Sequence, residues 1–156
     1  MFIVRPAKIK DLPEVVKMRL ELCKYHKAFG SDFKIDKTAQ KYYYKLYKGY
    51  IYSIKKKLLV AECGKKLIGF VSAHIPESEP ISKYKISGHI RDMYVDEKFR
   101  RRGVAGEILK VLYRWFKSKN VKCVYLNVVC ANQLGRNAWT KYGFEDYAIR
   151  KRKILK

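Results

Sequence analysis

Two apolar segments separated by three residues constrain the fold of this chain more than any other feature. The segments, Leu58–Cys63 and Leu67–Ile75, flank Gly64, Lys65 and Lys66. Short apolar runs joined by a glycine-containing turn are typical of an antiparallel β-hairpin. We therefore expect a sheet at the centre of the molecule, with the rest of the chain packed around it.

Helix and strand patterns alternate on both sides of this hairpin. In chain order they predict a strand at Phe2–Ala7, helices beginning at Asp11 and after Asp36, a strand at His89–Val95, a helix from Val104 to Ser118, a buried strand at Val121–Val129, a short helix from Asn132 ended by Gly143, and a closing strand at Phe144–Leu155. The 156 residues are most simply one α/β (α+β) domain, residues 1–156, with a mixed sheet.

The formal net charge of +22 implies an anionic partner. Nucleic acid, a membrane surface, an acidic protein and a polyphosphate cofactor would each suit this charge. The lysines extend from Lys8 to Lys156 rather than forming one tail, which argues against a dedicated nucleic-acid arm. A lysine-rich composition is also compatible with a thermophilic source.

The cysteines and histidines exclude several other classes of protein. Cys23, Cys63, Cys123 and Cys130 show no C-x-x-C spacing and no secretory segment precedes them, so we expect reduced thiols in a cytoplasmic protein. The three histidines form no H-x-x-x-H pair, which argues against a zinc site. No apolar run approaches the ~20 residues that span a bilayer, so we expect a soluble protein without a membrane partner.

Three consecutive arginines, Arg100–Arg102, precede small residues at a predicted strand-to-helix turn. Amides at a helix start have no intrahelical acceptor, and the helix dipole favours negative charge there. Gly103, Ala105 and Gly106 have little or no side chain, so an anion can reach these amides. The segment is therefore either a diphosphate site or a solvated basic loop whose small residues pack the helix onto the sheet.

This segment resembles a known family signature. Neither a P-loop nor the dinucleotide-binding glycine fingerprint is present. Arg100-x-x-Gly103-x-Ala105 instead resembles the Arg/Gln-x-x-Gly-x-Gly/Ala signature of the GNAT superfamily of acetyl-CoA-dependent N-acetyltransferases. A second family pattern, Asn-x-x-Ala-x-x-x-Tyr-x-x-x-Gly-Phe, has at its offsets Asn132, Gly135, Trp139, Gly143 and Phe144. The order of elements is also similar from end to end.

The resemblance implies a mostly antiparallel sheet, splayed at a cofactor cleft and flanked by helices on both faces. It implies that acetyl-CoA is the co-substrate, without a metal, and that a primary amine attacks it directly in a ternary complex. Loop amides would hold the pyrophosphate, and strand main chain would pair with the pantetheine arm. The cofactor residues would be Met93, Tyr94, Val95, Arg100, Arg101, Arg102, Gly103, Val104, Ala105, Gly106, Asn132 and Trp139. Asn132 is equally suited to capping its helix.

Two positions depart from the family's catalytic pattern. Trp139 stands where many members have a tyrosine general acid, and an indole N–H cannot protonate a thiolate. Arg91 stands where relatives that resemble polyamine acetyltransferases have an acidic residue, and it cannot act as a base. Strand alternation places Asp92 on the opposite side from Arg91. The catalytic residues are thus unknown: the weak candidates are Asp92, Glu62 and Tyr142, with His74 and His89 as further bases acting through water, and each is also compatible with a structural role.

Arg91 and the net charge favour an anionic or zwitterionic acceptor over a cationic polyamine. Tyr43, Tyr47 and Tyr50 form a helical stripe suited to core packing, and one or two of these tyrosines could line the acceptor pocket. Tyr42 is expected to point elsewhere. The sequence does not name the amine, and a homodimer is compatible with the resemblance.

Two other functions remain compatible with the residues. Trp139 and Arg91 also suit a non-catalytic acyl-CoA-binding module, which would release no free thiol in the presence of amines. The net charge and the basic run Lys151–Lys153 also suit an RNA- or ribosome-associated domain, whose binding would weaken steeply with salt. The aromatic motif of one common RNA-binding fold is missing, which makes nucleic acid the less favoured partner.

Overall fold

The central hairpin forms as predicted in the computed structural model, which describes the chain except residues 31, 33, 34, 78–80 and 156. The helices and strands in chain order are β1 (Ile3–Pro6), α1 (Leu12–Lys27), α2 (Lys37–Tyr52), β2 (Lys56–Cys63), β3 (Lys66–His74), β4 (Ser87–Val95), α3 (Val104–Ser118), β5 (Cys123–Leu126) and α4 (Gln133–Lys141). Short 3-10 turns at Ile9–Asp11 and Glu97–Phe99 precede α1 and the loop before α3.

The five strands form one sheet in sequence order, β1-β2-β3-β4-β5. The first three pairings are antiparallel and β5 runs parallel to β4, which confirms a mixed, mostly antiparallel sheet. The parallel pairing requires a crossover, and α3 supplies it.

Helices cover both faces of this sheet, as predicted. One apolar cluster joins α1 and α2 to the sheet and includes the fully buried Leu12, Tyr47 and Phe70. The second cluster joins α3 to the opposite face through residues such as Ile108 and Phe116. The middle of β3 is consequently buried on both sides, which explains why its sequence is a continuous apolar run.

The ends of α2 and α4 lie where the predicted capping residues place them. The Asp36 carboxylate accepts a hydrogen bond from the amide of Ala39 at 2.9 Å and starts α2. The Asn132 side chain accepts from the amide of Gly135 at 2.9 Å and starts α4. Gly143, with φ of +85°, follows α4 in the left-handed conformation that ends helices.

Two strand predictions are wrong. Residues 144–155 form no strand, although their alternating pattern suggested one. A strand needs a partner, and β5 has only four residues to offer, while Arg150–Lys153 places four positive charges in a row. β5 itself is shorter than the predicted Val121–Val129, because its pairing with β4 stops at Leu126.

The cysteines and the possible metal ligands can be located in the structure. None of the cysteines forms a disulfide, and they range from the buried Cys23 to the exposed Cys130. Among the described residues, no group of three or more His, Cys, Asp and Glu side chains is arranged to hold a metal ion. No helix in that part of the chain is long and apolar enough to cross a bilayer.

The contact between β4 and α3 depends on a glycine. A Cβ at Gly88 would lie 2.4 Å from Cε1 of Phe116, whose ring is buried on the sheet. Only a residue without a side chain therefore lets α3 approach this closely. In α2, by contrast, a Cβ at Gly49 would meet nothing within 4 Å.

We predict that Gly88→Ala lowers the free energy of unfolding by about 1–3 kcal/mol, because the ring of Phe116 must shift within a packed core. Urea unfolding followed by circular dichroism measures this. The matched control, Gly49→Ala, should be neutral or stabilise the protein by up to about 1 kcal/mol, because it adds a good helix former in open space. Equal stability of the two variants would contradict the packing described here.

Candidate functional site

A gap opens between β4 and β5. The two strands pair from Ser87 opposite Cys123 to Ile90 opposite Leu126, and the pairing ends there. β4 continues to Val95, so its last five residues, 91–95, have no partner on the β5 side among the described residues. We call this space the β4–β5 gap. The gap exists because β5 ends at Leu126, opposite Ile90, while β4 continues to Val95.

A β-bulge in β4 lies at the point where the gap begins. Ser72 of β3 is opposite Asp92, but the next residue, Ala73, is opposite Ile90. Arg91 is therefore an extra residue that has no partner in β3. A bulge bends its strand and increases the local twist, and this one lies next to Ile90, the last residue of β4 that pairs with β5.

The main-chain groups of β4 alternate between β3 and the gap. The amide of Asp96 donates to the carbonyl of Ile68, so the main-chain groups of Tyr94, two residues earlier, also turn toward β3. Those of Met93 and Val95 face the gap. Arg100 Nε donates to the Val95 carbonyl at 3.2 Å, which leaves the Met93 amide and carbonyl and the Val95 amide as the groups open to a ligand.

The loop after β4 presents main-chain amides at the start of α3. Gly103 is the N-cap with φ of +80°, and Arg101 also has a positive φ, of +60°. No side chain caps this helix. The main-chain bonds of the described residues give the amides of 101–103 no carbonyl acceptor, and those of 104–106 are the first helical amides, which have none within the helix. These amides without carbonyl acceptors lie in the segment for which the sequence predicted either a diphosphate site or a solvated basic loop.

Positive side chains surround these amides. Arg101, Arg102 and Gly103 are exposed, and the Arg102 guanidinium lies 5.7 Å from the centre of the Phe99 ring. Arg100 is anchored between the Val95 carbonyl and the Glu97 carboxylate, 3.9 Å away. Amides without carbonyl acceptors, the positive end of a helix dipole and nearby guanidinium groups are features that favour a multiply charged anion.

Asp92 is buried in a polar cluster beneath the bulge. Its carboxylate lies 2.8 Å from Arg19 Nε of α1 and accepts hydrogen bonds from the hydroxyls of Tyr47, at 2.9 Å, and Ser72, at 3.0 Å. Burial and then the Asp92 charge raise the pKa of Tyr47 well above its usual value, so Tyr47 remains a donor. Engaged by three partners and shielded from the gap, Asp92 ties β4 to both helices and is poorly placed to act as a base.

The sequence analysis missed Arg19, which is only 4% exposed. The available signal was its spacing: Arg19 lies four residues from both Val15 and Cys23, which are buried on the same side of α1. A charged residue within an apolar helical stripe requires a buried partner of opposite charge. Here that partner is Asp92.

Arg91 and Asp92 lie on the same side of the sheet, so the prediction that they face opposite sides is wrong. Arg91 Nε is 3.6 Å from Asp92 Oδ2, because the bulge interrupts the alternation of side chains. Arg91 Nη2 donates to the hydroxyl of Tyr42 at 3.4 Å. Tyr43, Tyr47 and Tyr50 are buried as predicted, whereas Tyr42, expected to point elsewhere, is the exposed tyrosine that reaches Arg91.

The other candidate catalytic residues are dispersed. Glu62 on β2 pairs with Arg5 at 2.6 Å and lies two strands from β4. Tyr142 follows α4, and its ring lies beside Gly106 and Trp139 rather than beside the bulge. His74 and His89 are opposite each other on β3 and β4, with ring centroids 5.1 Å apart. His89 lies in the paired part of β4 just before the gap, and His74 lies across from it on β3.

Two predicted cofactor residues lie on α4. Asn132 caps this helix and is only 6% exposed, and its Oδ1 also accepts a hydrogen bond from Tyr25 of α1 at 3.3 Å. The capping prediction is thus confirmed. Trp139 is half-buried, with its ring 5.2 Å from that of Phe144, and packs against the apolar cluster on the α3 side.

Solved structures share this fold. A tetramutant of the BH1408 protein from Bacillus halodurans is 20% identical with a TM-score of 0.86, covering 98% of this chain and 99% of that one. A predicted acetyltransferase with acetyl-CoA from Clostridium acetobutylicum is 24% identical with a TM-score of 0.81, covering 99% and 97%. The aminoglycoside 6′-N-acetyltransferase AAC(6′)-Ih from Acinetobacter baumannii is 14% identical with a TM-score of 0.77, covering both chains fully (100%).

Sequence comparison adds the family. No curated protein matches the chain significantly. The model of the acetyltransferase (GNAT) family, however, matches residues 22–144, a span that includes the bulge, the β4–β5 gap, the amide loop and α4. The protein therefore belongs to the GNAT family of acetyltransferases.

Proposed function

We propose that this protein transfers the acetyl group of acetyl-CoA to a primary amine, by direct attack of the amine within a ternary complex. The observation that carries the proposal is the amide loop at the start of α3, which opens beside the β4–β5 gap in a chain of this family. Coenzyme A contains a diphosphate and an extended arm with amide groups. The amide loop suits the diphosphate, and the β4–β5 gap suits the arm.

In this proposal the loop and the gap bind different parts of the cofactor. Amides 101–106 bind the pyrophosphate, with the arginine side chains adding charge-assisted donors. The main-chain groups of Met93 and Val95 pair with the pantetheine amides as an added strand would. The thioester then lies toward Arg91, where the two strands part. In support, the Clostridium structure of the same fold was solved with acetyl-CoA.

The acceptor site is positively charged. At the bulge, the Arg91 guanidinium lies 3.6 Å from the buried Asp92 carboxylate, in a chain with a formal net charge of +22. The Arg91 side chain is 35% exposed. The acceptor is therefore an amine that also carries a carboxylate or a phosphate. Aminoglycosides, the acceptors of other proteins with this fold, are polycations, and the fold does not transfer that preference to this chain.

At position 139, where many family members have a tyrosine, this chain has no side chain that can protonate the leaving thiolate. Trp139 has only an indole N–H, and Tyr142 lies near Gly106. A thiol has a pKa of about 8.5, so the thiolate leaves readily near neutral pH and takes its proton from the amine nitrogen or from water. Loss of general acid assistance costs about 10²- to 10⁴-fold in rate, so the enzyme is slow.

A panel of amines with acetyl-CoA tests the proposal, read out by release of free thiol. Release that depends on an amine supports acetyl transfer. Binding of coenzyme A without thiol release, for every amine tried, would instead identify an acyl-CoA-binding module. Steep loss of RNA binding with salt, without stabilisation by coenzyme A, would identify the RNA-associated alternative.

We predict that Arg102→Glu weakens coenzyme A binding by about 10- to 100-fold, since it replaces a charge-assisted donor beside the amide loop with a carboxylate. Isothermal titration calorimetry and the coenzyme-dependent rise in melting temperature measure this. Lys119→Glu, at the opposite end of α3, changes the net charge equally and is the control. If both variants lose affinity equally, the overall field and not the loop binds the coenzyme.

We predict that Arg91→Gln lowers kcat/KM for an acidic amine such as glutamate about tenfold or more, because it removes the positive charge at the bulge. For an amine without an acidic group, such as glycinamide, the change should be small. Steady-state kinetics with both acceptors gives the ratio, and Arg91→Lys should retain most of the preference. Faster wild-type acetylation of spermidine than of acidic amines would show that the acceptor assignment is wrong.

A further inference from the structure

The segment of residues 145–155, which follows α4, exposes both its main chain and its apolar side chains. All of these residues are exposed, and Tyr147, Ile149, Ile154 and Leu155 are 77–80% exposed. The main-chain hydrogen bonds of the described residues include none made by this segment. Its sequence nevertheless has the alternating pattern that predicted a strand. A segment of this kind is a template for pairing with another strand.

Side chains hold this segment beside β5 and the turn after α1. The rings of Tyr147 and of Tyr125 on β5 are 5.7 Å apart. Arg152 Nη1 lies 2.6 Å from the Asp32 carboxylate, and Arg152 Nη2 donates to the Gly30 carbonyl at 3.0 Å. β5 is the edge strand of the sheet, so the segment lies at the edge of the molecule. These contacts use side chains of the segment and leave its main-chain groups available to a partner.

The charges of the segment are complementary to those of a second copy of itself. Two acidic residues come first, three uncharged residues follow and two basic residues come last: Glu145, Asp146, Tyr147, Ala148, Ile149, Arg150 and Lys151. An antiparallel pairing of two copies, centred on Ala148, places Asp146 opposite Arg150 of the second copy. In the same register, Glu145 is opposite Lys151. Opposite charges that face each other across two strands stabilise the pairing.

Two-fold symmetry repeats each of these pairs, so the surface is complementary to itself. The register also places Tyr147 opposite Ile149, and an aromatic residue opposite a β-branched one is a favourable pair. A shift of two residues in one direction would place Tyr147 opposite Lys151. A shift of two residues in the other direction would place both acidic residues opposite uncharged ones. The register centred on Ala148 is therefore favoured over its neighbours.

We propose that residues 145–151 form a strand by antiparallel pairing with the same residues of a second copy, which gives a two-fold symmetric dimer. The dimer does not depend on the proposed acetyl transfer. A single short strand from each copy makes a small interface, so we expect a reversible dimer with a dissociation constant of about 1–100 μM. Each copy carries a formal net charge of +22, so salt at about 0.15 M or above is needed to screen the repulsion between copies.

Sedimentation velocity of the full chain, at concentrations below and above this range, tests the dimer. Asp146→Arg and Arg150→Asp each place like charges opposite each other twice, so each should weaken the dimer about tenfold or more. An equimolar mixture of the two variants should dimerise like the wild type, because every arginine of one variant then faces an aspartate of the other. Lys153→Asp changes the net charge as Arg150→Asp does but lies outside the paired residues, so the dimer should persist.

Asp146 also forms an ion pair with Arg136 of α4, so Arg136→Gln is the control for losing that contact and should leave the dimer intact. A wild-type protein that stays monomeric throughout overturns the proposal, as does a dimer that both charge variants retain. A mixture of the two variants that stays monomeric overturns it too, because the two residues then do not face each other. If the wild type is monomeric and Arg150→Asp and Lys153→Asp weaken RNA binding equally, the partner of the segment is nucleic acid instead.

Discussion

The incomplete pairing of β4 with β5 is the constraint on which the rest of the site depends. β4 has nine residues and β5 only four, so the later half of β4 keeps hydrogen-bonding groups that the sheet does not use. An unpaired edge within a protein is costly unless something pairs with it. In this fold a ligand can take the place of the missing strand. The site is therefore a consequence of sheet geometry: the main-chain groups of β4 are available to a ligand, and the side chains lie around them.

The buried carboxylate of Asp92 connects this geometry to the helices. A charge in the core is tolerated only with partners, and those partners come from three separate elements: Arg19 from α1, Tyr47 from α2 and Ser72 from β3. The same carboxylate lies beside Arg91, the residue of the bulge. The position of the bulge is thereby fixed by contacts made in the core.

Predictions from the sequence succeeded where the signals were local. α3 has the predicted bounds because its periodicity and the glycine before it lie within one segment, and α4 was located by Asn132 and Gly143. The amide loop was identified from the same kind of pattern. The prediction of a strand at 144–155 failed because alternation shows only that a segment could pair, not that a partner strand is present.

The interior of the site could not be predicted for the same reason. The bulge at Arg91 exists only as a mismatch between β3 and β4, which are distant in the chain, and it reverses the expected side of one residue relative to the next. The contacts of Asp92 with Arg19, and of His89 with Asn127, join residues more than 35 positions apart. The family resemblance predicted which elements would bind the cofactor, but the residues that depart from the family pattern could be interpreted only in three dimensions.

The conformation of Arg101 has a consequence for how the protein meets its ligand. Its φ of +60° is one that residues with a side chain adopt at a cost of about 1–2 kcal/mol. This strain lies directly between β4 and α3, so the packing of those two elements must offset it. The loop belongs to a chain with a formal net charge of +22, so added salt should slow its encounter with an anionic ligand.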